Sequence, residues 1–220
     1  MTTDELISFW SDLGSNNVHP SDDPTLLAQS GFETRLIPLP WNGPIRTGRA
    51  FVAFLNPGLD DMDVPYEAEN DDFRRTLREN LKGNSLYVYF DPAYLNHPGA
   101  KWARDTFGPD WPSSYADRIC ILQLVAYHSS GSAAPHGLYK KLQSTANMTN
   151  WIKGTLLKRV RSGEALLVIG RGASRFDLED EPETDNFIRY RNPEFRRAHM
   201  TKKTRGGDAL RRFLGLPRAG

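Results

Sequence analysis

The sequence predicts an α/β fold of three layers, α/β/α, with a central and mostly parallel sheet. Three short apolar runs, at residues 50–55, 118–126 and 165–170, are typical of strands buried on both faces of a sheet. Segments of helical periodicity separate these runs, and such alternation indicates parallel strands covered by helices on both faces. The length of 220 residues favours a single domain over residues 1–220, in which residues 1–48 form an N-terminal helix and loop extension.

The N-terminal half adds two helices and two weaker strand candidates to this framework. A short first helix extends to about Leu13. Residues 32–39 alternate apolar and polar side chains and suggest an edge strand, followed by a turn region at residues 41–48. Residues 71–81 carry apolar side chains at helical spacing and predict a helix. Residues 86–90 are aromatic and β-branched, which favours either a strand or a packed loop.

The C-terminal half continues the alternation of helices and strands. Residues 98–107 and 149–161 predict helices that precede the second and third buried strands. A short fourth strand is predicted at residues 187–190. Asp208 is expected to cap a final helix that ends at Leu214.

Composition excludes several classes of protein. The single cysteine, Cys120, excludes an internal disulfide, a multi-cysteine zinc site and an all-cysteine iron–sulfur cluster, and it favours a reducing, cytoplasmic location. The five histidines are dispersed, so we expect no metal and no cofactor; a site built from His128, His136 and a carboxylate is the alternative. No apolar stretch approaches the roughly 18 residues of a membrane span, so we expect no membrane partner. We also expect the protein to be a monomer.

The charges are segregated along the chain although the net charge is +1. Residues 59–73 hold seven acids and no base, and residues 189–212 hold nine bases and two acids. A basic segment attracts phosphate, whereas a solvated helix face and loop is the alternative interpretation. The acidic residues either face the ligand cleft, where they would repel phosphate, or form a solvated loop and the start of a helix.

Four segments that follow predicted strands can converge on one cleft, because ligands bind beyond the carboxyl ends of parallel strands. They are residues 56–58, 127–130, 170–174 and 191–201. In the third segment, Gly170 and Gly172 match the first two glycines of the dinucleotide-binding motif G-x-G-x-x-G. Arg175 occupies the position of the third glycine, so the motif is incomplete.

The first segment carries the most informative motif. A buried strand delivers the Asn56 amide to the edge of the sheet, Pro57 fixes its φ angle, and Gly58 allows a tight turn whose N–H groups can face a ligand. A strand that simply ends in a turn is the alternative.

These motifs, in this order, resemble the uracil-DNA glycosylase superfamily over roughly residues 50–214. The first motif is nearest to the mismatch-specific and thymine-DNA glycosylase branch, and the combination is also similar to uncharacterised relatives. Asn56-Pro57-Gly58 corresponds to the first motif and Gln123 to the amide residue that reads the base. Arg191-Asn192-Pro193 stands where the family has His-Pro-Ser, and this departure concerns catalysis more than fold.

The resemblance implies a DNA glycosylase that hydrolyses the N-glycosidic bond of a flipped, damaged or deaminated base, with single-stranded or mismatched DNA as its partner. Asn56 would orient the water, and Phe90, with Tyr89 as its substitute, would stack on the base unless both pack in the core. Substrate contacts are expected from Pro57, Gly58, Phe90, Gln123, His128, Asn192 and His199. Nucleic-acid contacts are expected from Arg191, Arg196, Arg197, Lys202, Lys203 and Arg205.

Two alternative functions stay open. A non-catalytic nucleic-acid or nucleotide-binding module of the same fold would explain the missing His-Pro-Ser pattern. Hydrolysis of a free nucleoside or nucleotide would tolerate the acidic segment better than DNA binding does.

Overall fold

A five-stranded, mostly parallel sheet occupies the centre of the molecule, as the sequence predicts. The computed structural model describes residues 1–109, 111, 113–130, 137–196 and 198–216. The sheet has the order β1-β3-β2-β4-β5; the β1–β3 pair is antiparallel and the other pairs are parallel. The strands are β1 (Trp41–Asn42), β2 (Ala50–Phe54), β3 (Ile119–Gln123), β4 (Leu166–Ile169) and β5 (Phe187–Arg189).

Helices connect the strands and cover both faces of the sheet. The α-helices of the described residues are α1 (Thr3–Ser11), α2 (Pro24–Gln29), α3 (Asp63–Glu69), α4 (Asp71–Leu81), α5 (Pro98–Phe107), α6 (Gln143–Trp151), α7 (Leu157–Arg161) and α8 (Arg205–Leu214). A π-helical segment, Ile152–Leu156, joins α6 to α7, so the helix predicted at residues 149–161 begins earlier than its periodicity indicated.

The core consists of two apolar clusters, one on each face of the sheet. In the first, Phe51 of β2 packs with side chains of α1, α4 and the α6–α7 helix. In the second, Val52 of β2 packs with Phe107 of α5 and Leu210 of α8. Successive residues of β2 therefore point to opposite faces, and all five are buried, which explains their continuous apolar character.

The prediction of an edge strand at residues 32–39 is wrong. Glu33 makes one isolated bridge with His128, and Pro38 and Pro40, which have no N–H group to donate, interrupt any longer ladder. The edge of the sheet is instead β1, in the region predicted as a turn. The Trp41 indole donates to the Asn80 carbonyl (2.8 Å), and the Asn80 amide donates to the Trp41 carbonyl (2.6 Å).

Of the two alternatives for residues 86–90, a strand or a packed loop, the strand is wrong. The segment contains a 3-10 helix, Val88–Phe90, and the Val88 amide donates to the Asn42 side chain (2.9 Å) rather than to a neighbouring strand. The predicted cap of the final helix also needs correction. The final helix is capped by Thr204, whose hydroxyl accepts from the Gly207 amide (3.2 Å), and Asp208 lies inside its first turn.

Candidate functional site

A cavity of about 890 Å³ opens at the carboxyl ends of β2, β3 and β4. Asn56, Gln123 and Gly172 line it, and each stands at or just beyond the end of one of these strands. The parallel order of the strands brings their ends to one edge of the sheet, where ligands commonly bind in α/β proteins. The volume suits a ligand of nucleoside size.

The Asn56 amide is held in a fixed orientation by the segment after β3. Its Nδ2 donates to the Ser129 hydroxyl and to the Pro57 carbonyl, both at 2.8 Å, and the Ser129 amide donates to the same carbonyl (3.2 Å). Across the described residues, the Asn56 Oδ1 accepts no hydrogen bond. Gly58 also lines the cavity, and no atom beyond its chain neighbours lies within 4 Å of its Cβ position. The turn therefore presents an oriented amide at the wall of the cavity.

His128 reaches the same turn from the end of the β3 segment. Its Nδ1 lies 2.9 Å from the Gly58 carbonyl, which can only accept, so Nδ1 carries the proton. Burial lowers the pKa of His128, against the opposing effect of the Gly58 and Ile37 carbonyls, and the ring is neutral near pH 7. The buried Nε2 is then an acceptor, and it has no hydrogen-bond partner in the described part of the chain. His128 lines the cavity.

Tyr89, rather than the adjacent Phe90, provides the aromatic wall. Tyr89 lines the cavity and stacks on His97, with ring centroids 5.1 Å apart and planes inclined by 16°. A Cβ at Gly99 would lie 2.3 Å from the Tyr89 ring, so the glycine in the first turn of α5 allows this close packing. Phe90 packs against Tyr87 and Phe107 in the second core cluster.

The acidic segment contributes one side of the cavity. Asp60 and Asp63 line it, and Asp63 is buried at the start of α3, where its Oδ2 accepts from the Asp60 amide (2.7 Å). Burial raises the pKa of Asp63 to about 6; the hydrogen bond from Asp60 opposes the rise and the Asp60 charge adds to it. The His97 Nε2 lies 3.6 Å from the Asp63 Oδ1. Burial, assisted by His128, lowers the pKa of His97 to about 4, so the two do not form a charged pair near pH 7.

The cavity lining also includes basic side chains. Arg171, Arg175 and Arg196 line it, and the Arg171 guanidinium donates to the Arg196 carbonyl (3.0 Å), which connects the β4 loop to the C-terminal segment. Within the described ranges these three arginines form no ion pair with a carboxylate. Asn56 and part of the basic C-terminal segment therefore share one cavity.

Within the described residues, several other basic side chains of that segment are paired with carboxylates. Arg191 pairs with Glu183 (3.0 Å), and Arg205 pairs with both Glu183 and Glu194. Burial raises the pKa of Glu194, but hydrogen bonds from Arg205 and Arg191 outweigh this effect and leave it lowered. These two arginines thus face carboxylates of their own chain.

The structure brings together six of the predicted site residues and leaves others outside the cavity. Those that line it are Asn56, Pro57, Gly58, Gln123, His128 and Arg196. Arg197 lies outside the described residues. The predicted residues that do not line it are Phe90, Arg191, Asn192, His199, Lys202, Lys203 and Arg205. The His199 ring, for example, is bonded through Nδ1 to the Asp105 carbonyl (2.8 Å).

Sequence reasoning missed several lining residues. The place of Asp63 shortly after the Asn56 turn could have identified it as a candidate. The sequence does not indicate the orientation of its carboxylate. Arg171 follows the third buried strand directly, which is the same signal that identified Asn56. Asn42 and Tyr87 carried no signal, because their position depends on the β1–β3 pairing.

Comparisons of the chain with protein-family models, curated proteins and solved structures give no match. Over the described ranges, which omit His136, no group of three or more His, Cys, Asp or Glu side chains could hold a metal ion. The helices of those ranges are all too short or too polar to cross a membrane.

Proposed function

We propose that the protein is a DNA glycosylase-like hydrolase that cleaves the N-glycosidic bond of a damaged or deaminated base held in the cavity. The observation that carries the proposal is the Asn56 amide, which lines the cavity and is oriented by Ser129, and whose Oδ1 accepts no hydrogen bond within the described residues. Gln123 and His128 offer polar groups to a base in the same cavity. A base turned out of its stack and bound by such groups is what this chemistry requires.

The reaction needs an oriented water more than a strong nucleophile. The bond from C1′ of the sugar to the base nitrogen breaks, the electron pair leaves with the base, and the water oxygen bonds to C1′. Asn56 accepts a hydrogen bond from that water through Oδ1 and directs it. The Asp63 carboxylate, in the wall of the same cavity, can take the water proton and pass it to the departing base.

The charge of the cavity supports a substrate that carries phosphate. Arg171, Arg175 and Arg196 line the cavity. Guanidinium groups without carboxylate partners favour phosphate oxygens. A nucleotide can thus place its phosphate on these arginines and its base towards Tyr89 and Gln123.

The test is a base-release assay on oligonucleotides that contain uracil, mismatched thymine or hypoxanthine. Asn56→Ala is expected to lower the release rate about 100-fold or more, since it removes the group that orients the water. Asn150→Ala, at an exposed position of α6, is the matched control and should retain full activity. Equal rates for the wild type and Asn56→Ala would refute the role of Asn56.

The ion pairs of Arg191 and Arg205 favour a second candidate, hydrolysis of a free nucleoside or nucleotide. With these side chains neutralised, less positive charge is left to hold a long polyanion. Deoxyuridine and deoxyinosine, offered in the same assay, distinguish the two reactions. Binding of oligonucleotides that weakens with salt, without release of any base, would instead identify a non-catalytic binding module.

A further inference from the structure

A second cavity has a volume of about 320 Å³. Three segments line it: the 3-10 helix Leu138–Lys141, the continuous helix made of α6 and the π-helical segment, and the 3-10 helix Ala173–Phe176 together with the residue after it. Among the described residues, Arg175 alone lines both cavities. None of the predicted site residues that the structure describes lines the second cavity, which is therefore separate from the site around Asn56.

The lining of the second cavity is mainly cationic. Lys140, Lys153 and Arg175 contribute three positive charges, and Asp177 is the only acid among the described lining residues. The Lys140 and Lys153 nitrogens lie 3.8 and 3.6 Å from the Asp177 carboxylate, which is beyond hydrogen-bond distance. Three positive charges against one negative charge leave a formal charge of +2 for a ligand.

Two polar groups of this lining are buried and lack a partner. Thr145 is 4% exposed, and its hydroxyl forms no hydrogen bond within the described residues. The Arg175 Nη1 is also buried and has no partner in the same part of the chain. The Thr149 hydroxyl, one turn later, instead donates to the Thr145 carbonyl (3.0 Å), as threonines in helices commonly do. Because buried polar groups are nearly always paired, the two exceptions indicate a ligand in this cavity.

The fold brings a hydroxyl, an ammonium and a guanidinium group to the second cavity. Thr145, Thr149 and Lys153 follow one another at intervals of four residues, a spacing that places side chains on one face of a helix, and all three line the cavity. The Arg175 guanidinium lies over the Tyr139 ring, 5.6 Å from its centroid, and this contact orients it. Two separate parts of the chain therefore supply the donors.

We infer that the second cavity binds a phosphate group with two negative charges, as inorganic phosphate or as a phosphate monoester. Lys140, Lys153 and Arg175 can only donate hydrogen bonds, the Thr145 hydroxyl can also donate, and phosphate oxygens accept. The formal charge of +2 matches a monoester, which carries about −2 near pH 7, better than a phosphodiester, which carries about −1. The inference does not depend on the reaction proposed for the first cavity.

The first test is calorimetric titration of the full chain with inorganic phosphate at constant ionic strength. Lys153→Met and Thr145→Val should each weaken binding about tenfold, and neither residue lines the first cavity. Arg175 is left unchanged because it lines both. Lys158→Met is the matched control, since Lys158 is also exposed and lines neither cavity, and it should bind like the wild type. No saturable binding to the wild type, or equal weakening in both lysine variants, would overturn the inference.

The second test separates the loss of binding from the loss of stability. Thr145→Val removes a hydroxyl without a partner in the described residues, so its Tm without phosphate should equal or exceed that of the wild type. Thr76→Val is the control: its hydroxyl donates to the Asp72 carbonyl (3.0 Å) and is bonded to the Tyr94 hydroxyl (2.8 Å), so its loss should lower Tm. A Tm loss in Thr145→Val as large as that in Thr76→Val would overturn the role of the Thr145 hydroxyl.

A competition experiment identifies the source of the phosphate group. A dinucleotide with a 5′-phosphate, or the same dinucleotide without it, is added to protein saturated with inorganic phosphate, and the binding that Lys153→Met lacks is followed. Displacement by the phosphorylated form alone would support a phosphate monoester as the ligand, and displacement by neither form would support the free ion. Equal displacement by both forms would show that a phosphodiester suffices and would overturn the requirement for two negative charges.

Discussion

The Glu67 carboxylate is buried behind the cavity, where α3 meets the segment that precedes β1. Its oxygens accept from the Ile37 amide at 3.1 and 3.3 Å. Burial raises the pKa of Glu67 to about 7, although that hydrogen bond and the charges of Arg74 and Arg78 oppose the rise. A carboxyl with this environment makes the stability of the protein depend on pH.

Glu67→Gln is expected to remove this dependence. Because the folded pKa exceeds the unfolded value near 4.5, the stability that Glu67 contributes is complete below about pH 4.5 and is lost as pH rises through 7. Between pH 5 and pH 8 the wild type should therefore lose on the order of 2 kcal/mol that the glutamine variant retains. Urea unfolding at the two pH values measures this difference.

Glu69→Gln provides the control, since Glu69 is exposed on the same helix. Its stability should follow the wild type at both pH values. An identical pH dependence in Glu67→Gln and the wild type would mean that the Glu67 pKa is not raised.

At the residue scale, the sequence predicts those site residues that directly follow a buried strand. Asn56 follows the apolar run of residues 50–55, and the carboxyl ends of parallel strands meet at one edge. Gln123 lies inside the apolar run of residues 118–126 and is identified only by the family resemblance. The sequence analysis ranks Phe90 ahead of Tyr89, but Tyr89 lines the cavity, because a 3-10 turn that is not visible as periodicity decides which ring faces it. Asn42 could not be found, because its place at the cavity depends on the pairing of β1 with β3.

At the scale of elements, long periodic segments are predictable and short ones are not. Helix α5 agrees with its predicted bounds at residues 98–107, because ten residues show the apolar stripe of a helix. β1 has two residues and depends on its pairing with β3, so no local pattern marks it. Helix α3 begins in the acidic run, and two of its carboxylates, Asp63 and Glu67, are buried. The net charge of the run does not distinguish these two buried carboxylates from the others.

Helix α8 fixes the position of the segment that contains Arg196, one of the residues that line the cavity. The Met200 amide donates to the Thr106 carbonyl at the end of α5 (2.7 Å), and α8 packs on the other side of this residue. A Cβ at Gly207 would lie 2.0 Å from the Thr201 carbonyl and 2.3 Å from the Met200 carbonyl. The contact is between two backbones, so no side-chain rotation can relieve it.

Gly207→Ala is therefore expected to destabilise the protein by about 3 kcal/mol, despite the higher helix propensity of alanine. Gly154→Ala is the control, because its nearest neighbour outside the helix is the Met1 nitrogen at 3.9 Å; it should be neutral or stabilising by up to about 1 kcal/mol. Chemical denaturation measures both. Equal effects of the two substitutions would contradict the backbone contact.

Across the whole molecule, the segregated charges of the sequence are only partly available to a ligand. The nine bases of residues 189–212 suggest a strong attraction for phosphate. In the folded chain Glu183 and Glu194 neutralise Arg191 and Arg205, and Asp208 pairs with Arg212. The partners of these bases lie within the same segment or shortly before it. A count of charges therefore overstates the field that reaches the cavity.

Release of these arginines should strengthen nucleic-acid binding under the proposed function. The double variant Glu183→Gln/Glu194→Gln frees Arg191 and Arg205, and each arginine that gains a phosphate contact steepens the dependence of log K on log salt by about 0.9. We expect oligonucleotide affinity to rise several-fold at low salt and to converge with the wild type at high salt, as fluorescence anisotropy would measure.

The control for this prediction changes the net charge equally at other places. Glu79→Gln/Glu181→Gln also removes two carboxylates, and it releases Lys82 and Arg161 instead. If binding depends on where the released charges lie, this variant should bind oligonucleotides like the wild type, with an unchanged dependence of log K on log salt. An equal gain in both double variants would show that total charge alone governs binding, and no gain in either would place the nucleic-acid contact away from Arg191 and Arg205.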